Sequence, residues 1–305
     1  MLERRTFSLS DQQVFAELSG DDNPMHVDPV AARRLLFGGP VVHGIHAACW
    51  ALDRWVSTRD QAVKLSSLNA VFLKPMRVGH PVELLVEDES DSSLKLRIMT
   101  AGELATRIVC EFETASDHLN ESSGELGSAD FIPDEVASRD SCRERSDYEG
   151  AFGTLTLLLP RDLAHERLPN LTLRLPHRQT AFLLATTRLV GTECPGLHSI
   201  YSALQLSFCD PSLTAARPEL DWHVSGHDSR FGSVSLELAS PHGVGSIRAF
   251  IRPQPQQQLP FADVKPLTTP ERFAGVRALV IGGSRGFGEV CAKLLAAGGA
   301  DVCIT

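Results

Sequence analysis

The chain has 305 residues, 43% hydrophobic and 22% charged, which excludes a disordered or fibrous protein and leaves room for two domains or more. Its net charge of −9, with no Lys/Arg cluster, argues against a nucleic-acid partner. No run approaches the roughly 18 apolar residues of a membrane helix, no apolar signal follows the N-terminus, and the seven cysteines lack CxxC spacing, so a soluble cytoplasmic protein with reduced thiols is expected.

In chain order, Ser10 with Gln13 three positions later reads as a capping box that opens a helix through Val14, Phe15 and Leu18, with Gly20 to end it. A stiff turn follows from Asp21 to His26, and Asp28-Pro29 opens a second helix through Ala31, Ala32 and Leu35. From His43 onward, Ile45, Ala48, Cys49, Leu52, Trp55 and Val56 recur at helical spacing and predict a central apolar helix. Runs at about 65–74, 81–88, 93–101 and 104–114 then read as antiparallel strands, and the Ser/Asp/Glu/Arg-rich stretch 116–147 reads as a linker.

The order then repeats. A shift of 134 positions lays VVHGIHAACWALDRWV (41–56) over LPHRQTAFLLATTRLV (175–190), matching His43 to His177 and Arg54 to Arg188, and the strands after each helix follow in register. Two copies of one unit are implied. The shift puts Leu155, Pro160 and Arg178 opposite Asp21, His26 and Gly44, so the second copy, 148–252, is expected to be catalytically silent. A Pro/Gln-rich linker over 253–272 leads to ALVIGGSRGFGEVCAKLLAAGGADVCIT, which reads as strand, glycine turn, helix and the start of a strand.

Taken singly, Asp21 would be a turn residue and His26 a satisfied core histidine. Together they belong to a longer pattern. Ser19-Gly20-Asp21-Asp22-Asn23-Pro24-Met25-His26, Ala32 after five further residues, and His43-Gly44 beyond resemble the fingerprint of MaoC-like (R)-specific enoyl-CoA hydratases. The resemblance covers about residues 7–114. It implies an α+β double hotdog, an antiparallel sheet wrapped around a long helix in two copies, with the catalytic copy at 1–115 and an Asp/His dyad at Asp21 and His26. Water addition to an enoyl thioester needs a base, an acid and a donor for an enolate-like oxygen. The dyad supplies the first two, and the Gly44 N–H at a helix start supplies the third. Asn23 and His43 are expected to line the substrate site, His43 being equally open to a structural role. Asp21, Asp22, His26 and Asp28 match no standard metal spacing, so no metal or other cofactor is expected for hydration. The expected partner is an acyl-CoA or acyl-carrier-protein thioester, with a homodimer possible. In double-hotdog relatives the degenerate copy takes a second subunit's place, which makes 148–252 scaffold and acyl-pocket wall. The alternatives are a non-catalytic acyl-binding module of a larger synthase and a fragment of a hydratase–reductase fusion.

The last segment, 273–305, resembles the first turn of a short-chain dehydrogenase/reductase, with Gly282, Gly286 and Gly288 at the glycine positions and Ile281 in place of Thr. That resemblance implies cofactor contacts from Gly282, Ser284, Arg285, Gly286 and Gly288. NADP would be taken only by a complete domain, so the site here is read as incomplete. Gly282-x-Ser284-x-Gly286 also fits a nucleophile elbow, but no His follows it to form a triad.

Overall fold

A computed structural model describes residues 2–115, 148–209, 219–254 and 257–305, and the expected linker over 116–147 falls outside them. The chain opens with strand β1 (Glu3–Thr6) and helix α1 (Leu9–Ser19). The N-cap of α1 is Ser8 and not Ser10: Ser8 Oγ accepts the Asp11 N–H at 3.0 Å, and Asp11 Oδ2 accepts the Ser8 N–H at 2.7 Å. Both serines have an acceptor three residues on, but only Asp11 is charged and gains from the helix dipole, so the earlier pair wins. Gly20 ends the helix as expected, in the left-handed region at φ 76°.

The turn after Gly20 is partly helical. Pro24 takes the first position of a single turn, α2 (Pro24–Val27), which Asn23 caps by accepting the Met25 N–H at 3.1 Å. Asp28 caps α3 (Pro29–Arg34) as expected, its Oδ1 accepting from the Val30 and Ala31 N–H groups. The central helix α4 (Gly44–Val56) is buried at almost every position, as an apolar helix enclosed by a sheet must be. It is followed by β2 (Ala62–Phe72), β3 (Pro81–Glu89), β4 (Ser93–Thr100) and β5 (Glu103–Ala115), close to the four expected runs.

The second copy contains β6 (Phe152–Thr156), the short helices α5 (Arg161–Arg167) and α6 (Pro169–Arg174), and its own central helix α7 (His177–Arg188). A π-helical turn, Leu189–Glu193, prolongs α7 before β7 (Ser199–Phe208), β8 (Glu219–Asp228), β9 (Ser233–Ser240) and β10 (Gly243–Ile251). The ten strands form one antiparallel sheet in the order β1-β3-β4-β5-β2-β7-β10-β9-β8-β6, a palindrome about the β2–β7 pair. Leu68↔Leu206 and Ala70↔Leu204 lie at that seam.

The two copies are therefore related as expected, but a single shift of 134 does not carry through. β1 and β6 take equivalent places against β3 and β8, and their separation is about 150 residues. The second copy is shorter between its first strand and its central helix. Leu155 accordingly sits in edge strand β6 and Pro160 at the N-cap of α5, so neither occupies the place of Asp21 or His26. The better counterpart of the Pro24 turn is α6, which also opens on a proline, and two residues past that proline stands buried Leu171.

The copies are also joined through a bulge. β2 slips register between Leu65 and Ser67, with Ser66 the extra residue; Leu65 still faces Phe112 of β5, but pairing with β7 begins only at Ser67. Gln179 of α7 fills the gap, accepting the Leu65 N–H at 3.0 Å and donating to the Leu65 carbonyl at 2.7 Å.

A second compact unit consists of Pro253–Thr305 with the short segment Arg34–Gly38. The stretch expected to be a linker over 253–272 contains a short helix, α8 (Phe261–Val264), and a 3₁₀ turn, Lys265–Leu267, with Val264 buried. Its low apolar content hid a helix that buries a single side chain. β11 (Arg277–Val280), α9 (Gly286–Ala297) and β12 (Asp301–Ile304) then form a β-α-β unit with parallel strands. Gly282 and Gly286 have positive φ, and a Cβ on Gly288 would run into the Gly282 carbonyl. No helix among the described residues is long and apolar enough to cross a membrane.

Replacing Gln179 with Leu would leave a buried N–H and C=O of Leu65 unpaired, each costing about 1–3 kcal/mol. We expect Gln179→Leu to lower the unfolding free energy by roughly 2–4 kcal/mol in urea titration.

Candidate active site

Three buried side chains converge where α1 ends and α4 begins. Asp21, His26 and His43 each offer a ligand atom within 4.8 Å of the others. Asp21 is placed by the left-handed Gly20, which turns the chain out of α1 and directly into the core. Its Oδ2 accepts the Thr187 hydroxyl at 2.6 Å and its Oδ1 the Asn23 N–H at 3.3 Å. Burial disfavours the carboxylate and pushes its pKa to about 7, against the lowering effect of these two hydrogen bonds. Asp21 therefore exchanges its proton near neutrality.

His26 lies on α2 with Nδ1 2.7 Å from the Val41 carbonyl oxygen, an atom that only accepts. Nδ1 thus carries the proton, and Nε2 holds a free lone pair. Burial pushes the His26 pKa down to about 4, so the ring is neutral at pH 7.

His43, the N-cap residue of α4, stacks on His26 at 3.8 Å with planes 24° apart. Its Nδ1 lies 3.0 Å from Gln12 Oε1 and its Nε2 3.0 Å from the Asp21 carbonyl. Burial and the neighbouring His26 and His46 hold it neutral, so the 3.9 Å approach of Nε2 to Asp21 Oδ2 is not an ion pair. A neutral ring has a single N–H and donates to only one of these two oxygens, so one hydrogen bond and the stacking on His26 hold it between Gln12 and the Asp21 backbone. The stacking also bears on a metal. Ring planes this close to parallel do not meet within a bond length of either Nε2, so the two imidazoles cannot both point lone pairs at one ion.

Gly44 begins α4, where the first N–H groups lack intrahelical partners, and it is the one partly exposed residue in a buried run from Val41 to Trp50. A Cβ here would lie 2.8 Å from Phe72 Cδ1, so glycine lets the Phe72 ring pack against the start of α4. The dyad residues expected from the sequence are brought together beside Gly44. Asn23 differs from expectation: its Oδ1 caps α2, and its Nδ2 donates to the Gly191 and Leu197 carbonyls, so its amide is spent on the fold rather than on substrate.

Sequence reasoning missed Gln12, Thr187 and Gly191. Gln12 is fully buried, and no apolar spacing or motif in the sequence singles it out. Thr187 and Gly191 sit more than 160 positions from Asp21, and the only local sign was a threonine pair inside an apolar helix.

The similarity to known proteins lies in the first copy for sequence and in both copies for fold. Residues 2–107 match the MaoC like domain. Over 85 residues the chain is 33% identical to the mitochondrial 3-hydroxyacyl-acyl-carrier-protein dehydratase of Arabidopsis thaliana, covering 28% of this chain and 51% of that protein. Over 88 residues it is 38% identical to the 3-hydroxybutyryl-CoA dehydratase of Methylorubrum extorquens, covering 28% of this chain and 54% of that one. The chain spans about half the length of these relatives. Among solved structures, a MaoC-like dehydratase superposes with a TM-score of 0.53 at 13% identity, covering 83% of this chain and 97% of its own. A conserved hypothetical protein of Mycobacterium tuberculosis, described as a double hotdog fold, gives 0.52 at 13% identity, covering 82% and 94%. At such identities the likeness concerns the fold, and that fold is the double hotdog.

A carboxyl whose folded pKa is raised adds stability that is complete below its unfolded value of 3.8 and is lost as pH rises through about 7. Asn at this position has no such dependence. We expect Asp21→Asn to gain on the wild type as pH rises from 4 to 7, by up to about 4 kcal/mol in paired denaturant melts, and to gain nothing more above pH 8.

Proposed function

We propose that the first copy is a hydro-lyase that hydrates trans-2-enoyl thioesters to (R)-3-hydroxyacyl thioesters and catalyses the reverse dehydration. The observation that carries this reading is a neutral imidazole with a free Nε2 and a carboxyl titrating near pH 7, side by side next to an open helix-start N–H. In hydration, His26 Nε2 takes a proton from water as the oxygen bonds to the β-carbon. The π electrons of the double bond move onto the thioester oxygen, which the Gly44 N–H holds. The protonated Asp21 then gives its proton to the α-carbon, and the proton gained by His26 passes back to Asp21 to close the cycle. Both groups act from one side of the substrate, which suits a single stereochemical outcome. The (R) sense rests on the sequence resemblance, as does the choice of an acyl thioester carried on coenzyme A or a carrier protein. The cycle uses only water and substrate.

The second unit supports a separate reading. Its parallel β-α-β arrangement, the positive φ at Gly282 and Gly286 and the crowding at Gly288 suit a dinucleotide-binding turn of the short-chain dehydrogenase/reductase kind, in which Arg285, here donating to the Leu35 carbonyl at 3.2 Å, is the residue that would favour NADP. Hydride transfer is not assigned to the residues described.

Mixing the protein with short and medium trans-2-enoyl-CoA and following loss of the conjugated-thioester absorbance tests the proposal. We expect turnover, with Asp21→Asn and His26→Ala each slowing it by about 10²–10⁴. Tight acyl binding with no turnover of CoA-linked or carrier-linked substrates would instead indicate a binding module.

The pH profile of kcat/KM should be a bell. Its acid limb lies near pH 4, where His26 must lose its proton, and its alkaline limb near pH 7, where Asp21 must keep its own.

Gly44→Ala should fold and lose at least roughly ten-fold in kcat/KM, because its methyl meets the Phe72 ring and displaces the start of α4.

A further inference from the structure

We propose that the second copy completes the active site: Thr187 and Gly191 are positioning residues that fix the orientation of the Asp21 carboxyl. The inference rests on the hydration reading and extends it to residues that the repeat analysis assigned to scaffold. Thr187 is buried on α7, and its hydroxyl is 2.6 Å from Asp21 Oδ2. Gly191 meets the same carboxyl from the π-helical turn that prolongs α7. A Cβ at Gly191 would lie 2.5 Å from Asp21 Cγ, 2.7 Å from Oδ2 and closer still to Oδ1.

Space is the reason for this glycine. Gly191 is not among the residues with positive φ, so its backbone conformation is open to any side chain. The carboxyl also has little freedom to retreat. Its Oδ1 is engaged by the Asn23 N–H, its Oδ2 by Thr187, and the buried His43 ring stands 3.9 Å away. The Asn23 side-chain amide also donates to the Gly191 carbonyl, so one turn of the second copy meets the side chains of both Asp21 and Asn23.

The repeat supplies a comparison. The counterpart of Thr187 at the shift of 134 is Asp53 on α4, which faces the α6 turn of the other copy. There Asp53 Oδ1 accepts the Asn170 and Leu171 N–H groups at 2.8 and 2.9 Å, a purely structural cap. In both directions a central helix grips the turn of the opposite copy, and only the grip on Asp21 holds a titratable group beside an open N–H.

The Thr187 hydroxyl favours the ionised form of Asp21, so its removal should raise the Asp21 pKa further. We expect Thr187→Val to lower kcat about 10- to 100-fold with KM little changed and to move the alkaline limb up by about one pH unit, and Thr187→Ser to restore both. Gly191→Ala should cost at least as much, and neither substitution should add a further loss in an Asp21→Asn background. A Thr187→Val enzyme with unchanged kcat and pH profile, or losses that multiply with Asp21→Asn, would overturn the proposal. A readout without substrate separates it from the hydration reading. The stability gap between wild type and Thr187→Val should widen as pH rises through 7 and vanish when Asp21 is Asn. If no enoyl thioester is turned over, the hydration reading fails, and this titration still decides whether Thr187 holds the carboxyl.

Discussion

The structure is organised around a carboxyl buried at the junction of its two copies. Burying an ionisable group without partners costs several kcal/mol, so a carboxyl is kept in such a place only where donors surround it or where it can hold a proton. Asp21 does both. Thr187 and the Asn23 N–H serve its oxygens, and the remaining desolvation keeps its pKa near 7. The donors come from both sides of the pseudo-twofold, so this environment exists only when the two copies are joined. The β2–β7 seam and the two Gln179 hydrogen bonds to the Leu65 backbone hold them together.

The same junction accounts for the asymmetry between the copies. At the α6 turn the position of His26 is taken by Leu171, and at the head of α7 Arg178 stands where α4 has Gly44. The imidazole at the head of α7, His177, is turned to the Thr172 carbonyl at 3.1 Å, and Arg178 replaces the glycine at the helix start. What remains is packing, with Asp53 clamping the α6 N-terminus and Leu171 buried. The second copy keeps the fold without these side chains because the contacts that join it to the Asp21 turn are retained.

Much of this was legible in the sequence where the signal is local. Apolar residues at helical spacing marked α4 to within a residue, the period-two runs marked β2 to β5, and the Ser-Gly-Asp to His pattern marked the two side chains that converge. Errors arose where local signals compete or where distance hides a contact. Ser8 and Ser10 both satisfy the capping spacing, and charge decided between them. A gap between the first strand and the central helix spoiled a uniform repeat shift, which led to Leu155 and Pro160 as false counterparts. Asn23 looked available for a ligand because its hydrogen bonds to Gly191 and Leu197 cross the repeat boundary, and nothing near it in the chain announces them.

Burial moves the pKa values of Asp21 and His26 in opposite senses. Desolvation always favours the neutral form, which for a carboxyl is the acid and for an imidazole is the base. Placing Asp21 and His26 in one dry site therefore yields, near pH 7, a carboxyl able to donate and an imidazole able to accept without any further charged partner. The carbonyl of Val41 then selects which imidazole nitrogen is free, and the hydroxyl of Thr187 limits how far the carboxyl is pushed toward permanent protonation. A more polar site would leave both groups ionised or exchanging with solvent. A fully apolar one would lock the Asp21 proton in place. The intermediate condition depends on two hydrogen bonds, one from a neighbouring loop and one from the helix of the copy that carries no dyad.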